Sequence, residues 1–212
     1  FPVDVGRVAL ATAAPPAMTN PIVLLCIALA ALFSSGVYAQ ANSAAAMRDA
    51  PRLFVLLVTG IGGEAFYTER FASWTDSTHE VLTDALGVPE TQIVLLGPTA
   101  AEGKTKATQA TVLDAIATLA SQTRAADMIA LWYIGHATAR GNHLALNLPG
   151  PDLSAQSLGD ALDAFGERRV LVVLAAAATG AMLPALSAPN RLVITATASA
   201  AERHAPLFAG SF

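Results

Sequence analysis

Five short apolar runs recur from residue 53 onward, and stretches with helical spacing separate them. The runs are Leu53–Val58, Gln92–Leu96, Asp127–Ile134, Val170–Leu174 and Leu192–Thr197. Runs that are apolar almost throughout are typical of strands buried on both faces of a sheet. Intervening helices of about ten to fifteen residues indicate βαβ units with right-handed crossovers. The predicted fold class is therefore α/β, with a mostly parallel sheet.

The segments between the runs predict the remaining elements. Helices are predicted over Asp76–Leu86, Thr108–Ser121, Ser154–Phe165 and Met182–Leu186, with Ser154 as a helix cap. Leu144, Leu146 and Leu148 alternate with smaller residues and predict a short hairpin arm. The polar segments 64–70 and 100–106 are predicted as solvated loops.

Composition excludes some classes of partner. The chain has 212 residues, of which 54% are hydrophobic, and its net charge is −4. Such a chain has ample apolar surface for a core, which argues against disorder. No basic block or stripe of Lys and Arg with interleaved aromatic residues occurs, so the sequence does not support nucleic-acid binding.

The N-terminal segment has the pattern of a secretory leader. The apolar run Pro21–Phe33 is too short to span a membrane comfortably, and Val37-Tyr38-Ala39 fits a cleavage site. We expect upstream sequence over 1–17, a signal peptide over 18–39 and a linker over 40–51. The alternative is an uncleaved N-terminal anchor. Cleavage would leave an exported domain, periplasmic or secreted, with no membrane span.

The expected domain, residues 52–212, contains no cysteine. The sole thiol, Cys26, lies within the leader. The exported domain would therefore have no disulfide, no thiolate ligand for a metal and no thiol nucleophile. The four histidines show no His-x-x-x-His spacing, so we expect neither a metal nor another cofactor. The domain ends without a closing element, and we expect it to be incomplete at its C-terminal end.

Two strand ends carry the candidate site. In an open α/β sheet, ligands bind beyond the carboxyl ends of the strands. Gly135-His136 ends the third run, and the segment 175–180 follows the fourth. If these strands are neighbours, His136 faces the next loop, which is the arrangement of a base beside a nucleophile.

The segment Trp132–Ala137, with Gly135 and His136, resembles the His-Gly motif that ends the third strand in caspases, legumains and their bacterial relatives. In that family the next strand ends in Glu/Asp-Ala-Cys-x-Ser-Gly. Alignment of that pattern on Gly180 places the following residues at its other positions, from Ser back to Glu/Asp: Thr179, Ala178, Ala177, Ala176 and Ala175.

The resemblance extends from Leu53 to Phe212, and the order of elements carries it better than either motif. The hairpin arm and the strand Arg191–Thr197 also resemble secreted bacterial legumain-like proteins. The resemblance implies a caspase-like, three-layer α/β/α fold. It also implies the reaction of a cysteine peptidase, in which the His takes part in acid–base chemistry and the Cys attacks the peptide carbonyl.

Residues at the implied site depart from the family pattern. His136 fills the His position, but Ala177 occupies the Cys position, and a methyl group has no lone pair with which to attack. Around these two, the resemblance implies that Gly135, Ala137, Ala176, Thr179 and Gly180 line the binding site. We therefore expect a catalytically inactive pseudo-peptidase that binds a peptide or a protein.

Two alternatives remain open from the sequence. The first is an active hydrolase of the same fold with an unrecognised nucleophile, for which Thr179 is the nearest hydroxyl. The second, weaker alternative is a nucleotide-binding α/β domain that uses Gly60–Gly63. That loop lacks a third glycine at the required spacing, and no acidic ribose ligand is apparent after the second strand.

Overall fold

The computed structural model describes residues 50–100, 105–141 and 143–202, which form two sheets and four α-helices. In chain order the strands are β1 Leu53–Thr59, β2 Ile93–Gly97, β3 Thr105–Lys106, β4 Met128–Ile134, β5 Ala137–Arg140, β6 His143–Leu146, β7 Leu153–Ser154, β8 Arg169–Ala175 and β9 Arg191–Thr195. The main sheet has the order β3-β2-β1-β4-β8-β9. All of its neighbouring strands run parallel. Strands β5, β6 and β7 form a separate antiparallel arm.

Helices cover both faces of the main sheet. They are α1 Ala65–Glu80, which continues through a π-helical turn Val81–Ala85, α2 Gln109–Gln122, α3 Ala155–Leu162 and α4 Leu183–Leu186. Phe71 of α1 packs with Val55 and Trp132 on one face of the sheet. The other three helices pack on the opposite face, where Ile116 and Leu158 belong to one buried cluster. The α/β class and the mostly parallel sheet are thus confirmed, whereas the caspase-like assignment stays a prediction.

The predicted strands agree with the structure to within about two residues at their ends. The Ser154 cap is also confirmed, because the Ser157 backbone N–H donates to the Ser154 hydroxyl at 3.0 Å. The predicted arm exists as β5 and β6, although it begins earlier, at Ala137. The loop prediction over 100–106 was wrong for Thr105–Lys106, which pair with β2 as the edge strand β3. Residues 101–104 lie outside the described residues.

Helix α1 corrects the second loop prediction, because it begins at Ala65, well before the predicted start at Asp76. Its buried face carries Phe71 together with two threonines, Thr75 and Thr78. Each threonine hydroxyl donates to the carbonyl oxygen four residues earlier, at 2.8 Å. These bonds satisfy the buried hydroxyl groups, so a face with few apolar residues can still pack against the sheet.

Ion pairs fix the amino edge of the sheet. The Asp127 carboxylate is fully buried and lies 2.6 Å from a guanidinium nitrogen of Arg52 and 2.8 Å from one of Arg124. Burial by itself raises the pKa of Asp127, but hydrogen bonds from the two arginines outweigh it and hold that pKa well below its usual value. Arg168 donates to two carbonyl oxygens near the end of α2, where a cation is favourable.

The predicted leader over 18–39, the upstream segment 1–17 and most of the linker lie outside the described residues. Within the part of the chain that the structure describes, no helix has both the length and the apolar character required to cross a membrane.

Candidate functional site

The two predicted loops leave the sheet side by side at its carboxyl edge. Strands β4 and β8 are neighbours, and Ile134 is the register partner of Ala175. His136 and Ala177 each lie two residues beyond this pair. The segment after His136, β5, also contacts the turn Thr179–Met182 that follows Ala177. The structure therefore brings the two candidate loops together.

The His136 side chain is half-buried and turns toward helix α1. Its ring meets Tyr67 edge to face at 4.7 Å between centroids, and Phe71 at 4.9 Å. Its Nε2 lies 3.2 Å from the carbonyl oxygen of Gly62. Because a carbonyl oxygen only accepts, this contact assigns the proton of the neutral ring to Nε2 and leaves Nδ1 as the basic nitrogen.

Tyr133 holds the backbone of His136 from the other face of the sheet. Its hydroxyl lies 2.7 Å from the carbonyl oxygen of His136 and 3.0 Å from that of Asn147, and its single proton can be donated to either. Burial, reinforced by the negative charge of Asp152, raises the pKa of Tyr133 far above its ordinary value. The hydroxyl therefore stays protonated and remains a donor.

Space for the Tyr133 ring comes from two glycines. A Cβ atom on Gly60 or on Gly135 would collide with the Tyr133 hydroxyl. Below the ring lies a small apolar cavity of about 10 Å³, lined by residues that include Val112 and Leu158. Gly135 was predicted as a binding residue, and the packing of Tyr133 gives it a structural reason to be glycine.

The loop after β8 presents only methyl groups at its first three positions, 176 to 178. Ala177, at the implied nucleophile position, is 7% exposed, and its neighbour Ala176 is fully buried. Ala178 adopts the left-handed conformation, with φ of 58°, and its backbone N–H donates to the Glu202 carbonyl oxygen at 2.9 Å. This bend ends the strand and turns the chain into the following short helical turn.

Internal contacts of Thr179 and Gly180 fix the conformation of the loop after β8. The Thr179 hydroxyl is fully buried and donates to the Ala176 carbonyl oxygen at 2.9 Å. The Gly180 N–H donates to the Thr197 hydroxyl at 3.3 Å, and a Cβ on Gly180 would collide with the backbone of Ala198. Both predicted binding residues thus make internal contacts in this structure.

Ala137, the remaining predicted binding residue, begins β5. It is the register partner of Leu146, and its side chain packs against the core on the α2 face. The arm therefore accommodates the methyl group of Ala137, which stands where the resemblance implies the glycine of the His-Gly motif.

Three aromatic residues at this site were absent from the sequence prediction. Tyr67 and Phe71 form the wall behind the imidazole, and Tyr133 anchors its backbone. The spacing of Tyr67, Phe71 and Thr75, four residues apart, is a helical signal, but the polar residues between them favoured a loop. Tyr133 lies within an apolar strand, where its hydroxyl gave no indication of a role.

The Gly60–Gly63 loop uses its amides to hold the site together. The Gly60 N–H donates to the Ile134 carbonyl oxygen at 2.9 Å, and the Ile61 N–H donates to that of Asn147 at 3.3 Å. Glu64 then occupies the N-cap position of α1. Helix N-termini attract anions, so a carboxylate at this position disfavours a bound phosphate.

Comparison with known proteins adds no further assignment. No protein-family model matches the chain, and no curated protein matches it. Among residues 50–100, 105–141 and 143–202, no three His, Cys, Asp or Glu side chains come together as a group that could hold a metal ion. The geometry at the carboxyl edge of the sheet is therefore the feature of the molecule that bears on its function.

Proposed function

We propose that the exported domain is a non-catalytic relative of the caspase and legumain peptidases, which binds a peptide or a protein segment without cutting it. The observation that carries this proposal is the register of β4 and β8. Because Ile134 and Ala175 are register partners, His136 and Ala177 each lie two residues beyond the ends of neighbouring strands. A peptidase of this family would hold its base and its thiol at these two positions.

Ala177, at the implied nucleophile position, cannot perform the first step of the reaction. Covalent catalysis needs an atom with a lone pair that attacks the carbonyl carbon, and Ala177 carries only hydrogen and carbon on its side chain. Loss of the nucleophile typically lowers the rate by many orders of magnitude, while the capacity to bind survives. Peptide binding without turnover is therefore the expected behaviour of this arrangement.

Thr179 is a weak replacement for the missing nucleophile. Its hydroxyl is fully buried and donates to the Ala176 carbonyl oxygen, which lies in its own loop. Attack on a substrate would require this bond to break and the side chain to become accessible. The geometry consequently favours the binding function over the active hydrolase that the sequence left open.

The nucleotide-binding alternative receives no support from the Gly60–Gly63 loop. The amides of Gly60 and Ile61 already donate to protein carbonyl oxygens, and Glu64 places a carboxylate at the start of α1. A phosphate cradle instead needs amide groups free to point at the ligand.

A direct test combines binding and turnover on the purified chain. A library of fluorescent peptides is incubated with the protein, binding is measured by anisotropy, and cleavage is measured by mass spectrometry. We expect saturable binding of some peptides and no cleavage products. Cleavage that disappears in a His136→Ala variant would overturn the proposed inactivity, and the absence of any binding would overturn the proposed function.

A second test restores the missing thiol. Ala177→Cys is prepared in a Cys26→Ser background and treated with an electrophilic peptide probe. We expect His136 to accelerate its labelling, because an adjacent imidazole favours the thiolate. Ala176→Cys is the matched control, since that side chain lies one residue earlier and is fully buried. Equal labelling of Ala177→Cys with and without His136 would refute the pairing of the two positions.

A further inference from the structure

The Tyr133 hydroxyl lies where three segments of the carboxyl edge meet. The chain leaves β1 at Gly60, β4 at Gly135 and β6 at Asn147. The hydroxyl is within hydrogen-bond distance of the His136 and Asn147 carbonyl oxygens, and a Cβ at Gly60 or Gly135 would strike it. One side chain therefore touches all three exits.

Backbone hydrogen bonds join the same three exits around this hydroxyl. The Asn147 N–H donates to the His136 carbonyl oxygen at 3.0 Å, so that oxygen receives both an amide and the tyrosine. The Asn147 carbonyl oxygen in turn accepts from the Ile61 N–H and lies within hydrogen-bond distance of the Tyr133 hydroxyl, as its second possible acceptor. The arm, the loop before α1 and the His136 backbone are consequently held in one arrangement.

From these contacts we infer that Tyr133 is a positioning residue, whose hydroxyl fixes the backbone of His136 and thereby the orientation of its imidazole. This inference rests on the proposed function, because it assumes that the two positions form one site. Tyr133 acts from the α2 face of the sheet, whereas the imidazole packs on the α1 face. Contact with the ligand is therefore no part of its role.

Without the Tyr133 hydroxyl, His136 would be held mainly by the contacts of its imidazole on the α1 face of the sheet. The Gly62 carbonyl oxygen and the rings of Tyr67 and Phe71 would still contact the imidazole. The His136 carbonyl oxygen would keep the Asn147 amide and lose its shorter bond. A displacement of about 1 Å in a reacting group can lower a rate by roughly a hundredfold, so a smaller shift has a measurable effect.

The experiment uses the thiol at position 177 as a reporter of the imidazole. Alkylation of Ala177→Cys by iodoacetamide is followed from pH 5 to pH 9, in the Cys26→Ser background, with and without Tyr133→Phe. We expect the thiol of Ala177→Cys to react roughly tenfold more slowly near neutral pH when the protein also carries Tyr133→Phe. The pH dependence of its alkylation rate should shift toward that of Ala177→Cys combined with His136→Ala. An unchanged profile would overturn the inference.

Two further variants separate positioning from general stability. Thr123→Val removes another buried hydroxyl that donates to a carbonyl oxygen, that of Leu119, and it lies near the amino edge of the sheet. We expect it to lower the melting temperature and leave the alkylation profile unchanged, and an equal effect of both variants on the profile would refute a specific role for Tyr133. Should Tyr133→Phe fail to fold, Thr138→Val replaces it, because the Thr138 hydroxyl holds the Asn147 side chain at 3.1 Å.

The outcomes also distinguish this inference from the proposed function. If Ala177→Cys reacts equally with and without His136, the proposed function fails and the role of Tyr133 fails with it. If His136 accelerates the reaction and Tyr133→Phe leaves it unchanged, the inference alone is rejected.

Discussion

The imidazole of His136 meets the ring of Phe71 edge to face, with 4.9 Å between the centroids and an angle of 71° between the planes. Phe71 is 2% exposed and belongs to the core between α1 and the sheet. The wall of the candidate site is therefore part of the hydrophobic core, and the packing that stabilises the domain also orients the imidazole.

Phe71→Ala should destabilise the domain by about 3 kcal/mol, since it removes a fully buried aromatic ring and leaves a cavity. Chemical denaturation monitored by tryptophan fluorescence measures the effect. Phe66→Ala is the matched control from the same helix, because that ring is 57% exposed, and it should cost less than about 1 kcal/mol. Similar losses for the two variants would contradict the position assigned to Phe71.

Thr75→Val should cost about 1–2 kcal/mol, although the two side chains have nearly the same shape. The Thr75 hydroxyl lies 2.6 Å from that of Thr59 and donates to the Phe71 carbonyl oxygen, so the valine leaves a buried hydroxyl of Thr59 without this acceptor. Thr68→Val provides the comparison, because its hydroxyl makes the same bond to an earlier carbonyl on the exposed side of α1. If Thr75→Val and Thr68→Val have the same free energy of unfolding, the hydrogen bond between Thr59 and Thr75 does not contribute to stability.

Asp127 should make the stability of the domain sensitive to acid. Its folded-state pKa is depressed below the unfolded value of about 3.9, so the folded state binds fewer protons than the unfolded state in this range. The stabilisation is therefore present above about pH 4 and is lost as the pH falls toward the folded-state pKa. Asp127→Asn should unfold with a shallower dependence on pH below 4, and it should cost about 2 kcal/mol at pH 7, because it weakens the charge-assisted hydrogen bonds of a buried carboxylate to Arg52 and Arg124. Unfolding free energies at a series of pH values measure both effects.

Asp160→Asn is the control for this experiment, since that carboxylate is exposed and accepts a hydrogen bond from Gln156 within the same helix. It should leave the acid dependence nearly unchanged and shift the free energy of unfolding by less than about 1 kcal/mol. A parallel response of the two variants would show that the buried ion pair is not the cause.

Gly180→Ala should destabilise the loop after β8 by about 2 kcal/mol, because the new methyl collides with the Ala198 backbone, which cannot rotate away as a side chain could. Ala181→Gly, at the next position, removes a methyl and should cost less than about 1 kcal/mol. Thermal melting of the two variants compares them, and an equal melting temperature for Gly180→Ala and the parent chain would disprove the close approach.

The sheet could be predicted from sequence because its strands are buried on both faces. Val55 and Leu56 point to opposite faces, and both are almost completely buried, so the run needs apolar residues at every position. Such runs stand out without knowledge of their neighbours. The edge strand Thr105–Lys106 has neither length nor apolar character, and its two exposed residues resemble a loop.

Helix α1 was harder to predict, because its buried face does not consist of apolar residues alone. Thr75 and Thr78 are buried with their hydroxyl groups bonded to the helix backbone, which removes the cost that their polarity would otherwise carry. Hydrophobic periodicity detects Leu82 and the residues around it, and it is weak over the first two turns. The helix therefore began earlier than the sequence indicated.

A candidate site could be proposed from sequence, but its contacts could not be described. The ends of apolar runs mark Gly135-His136 and the loop near Ala177, and the general rule for α/β sheets places ligands there. The contacts of His136 come from residues far apart in the chain, such as Gly62 and Phe71, and depend on which strands are neighbours. The adjacency of β4 and β8 is a property of the topology, and no local pattern encodes it.

Tyr133 connects the two faces of the main sheet, which are separated by a single layer of backbone. Its ring borders the small cavity beside Val112 and Leu158, while its hydroxyl reaches the peptide group of the residue whose imidazole lies on the far side. If the domain binds a peptide as proposed, mutations that alter recognition need not cluster around that peptide. A selection for altered affinity should then also recover changes on α2 and α3 at residues that line the cavity beside the tyrosine ring.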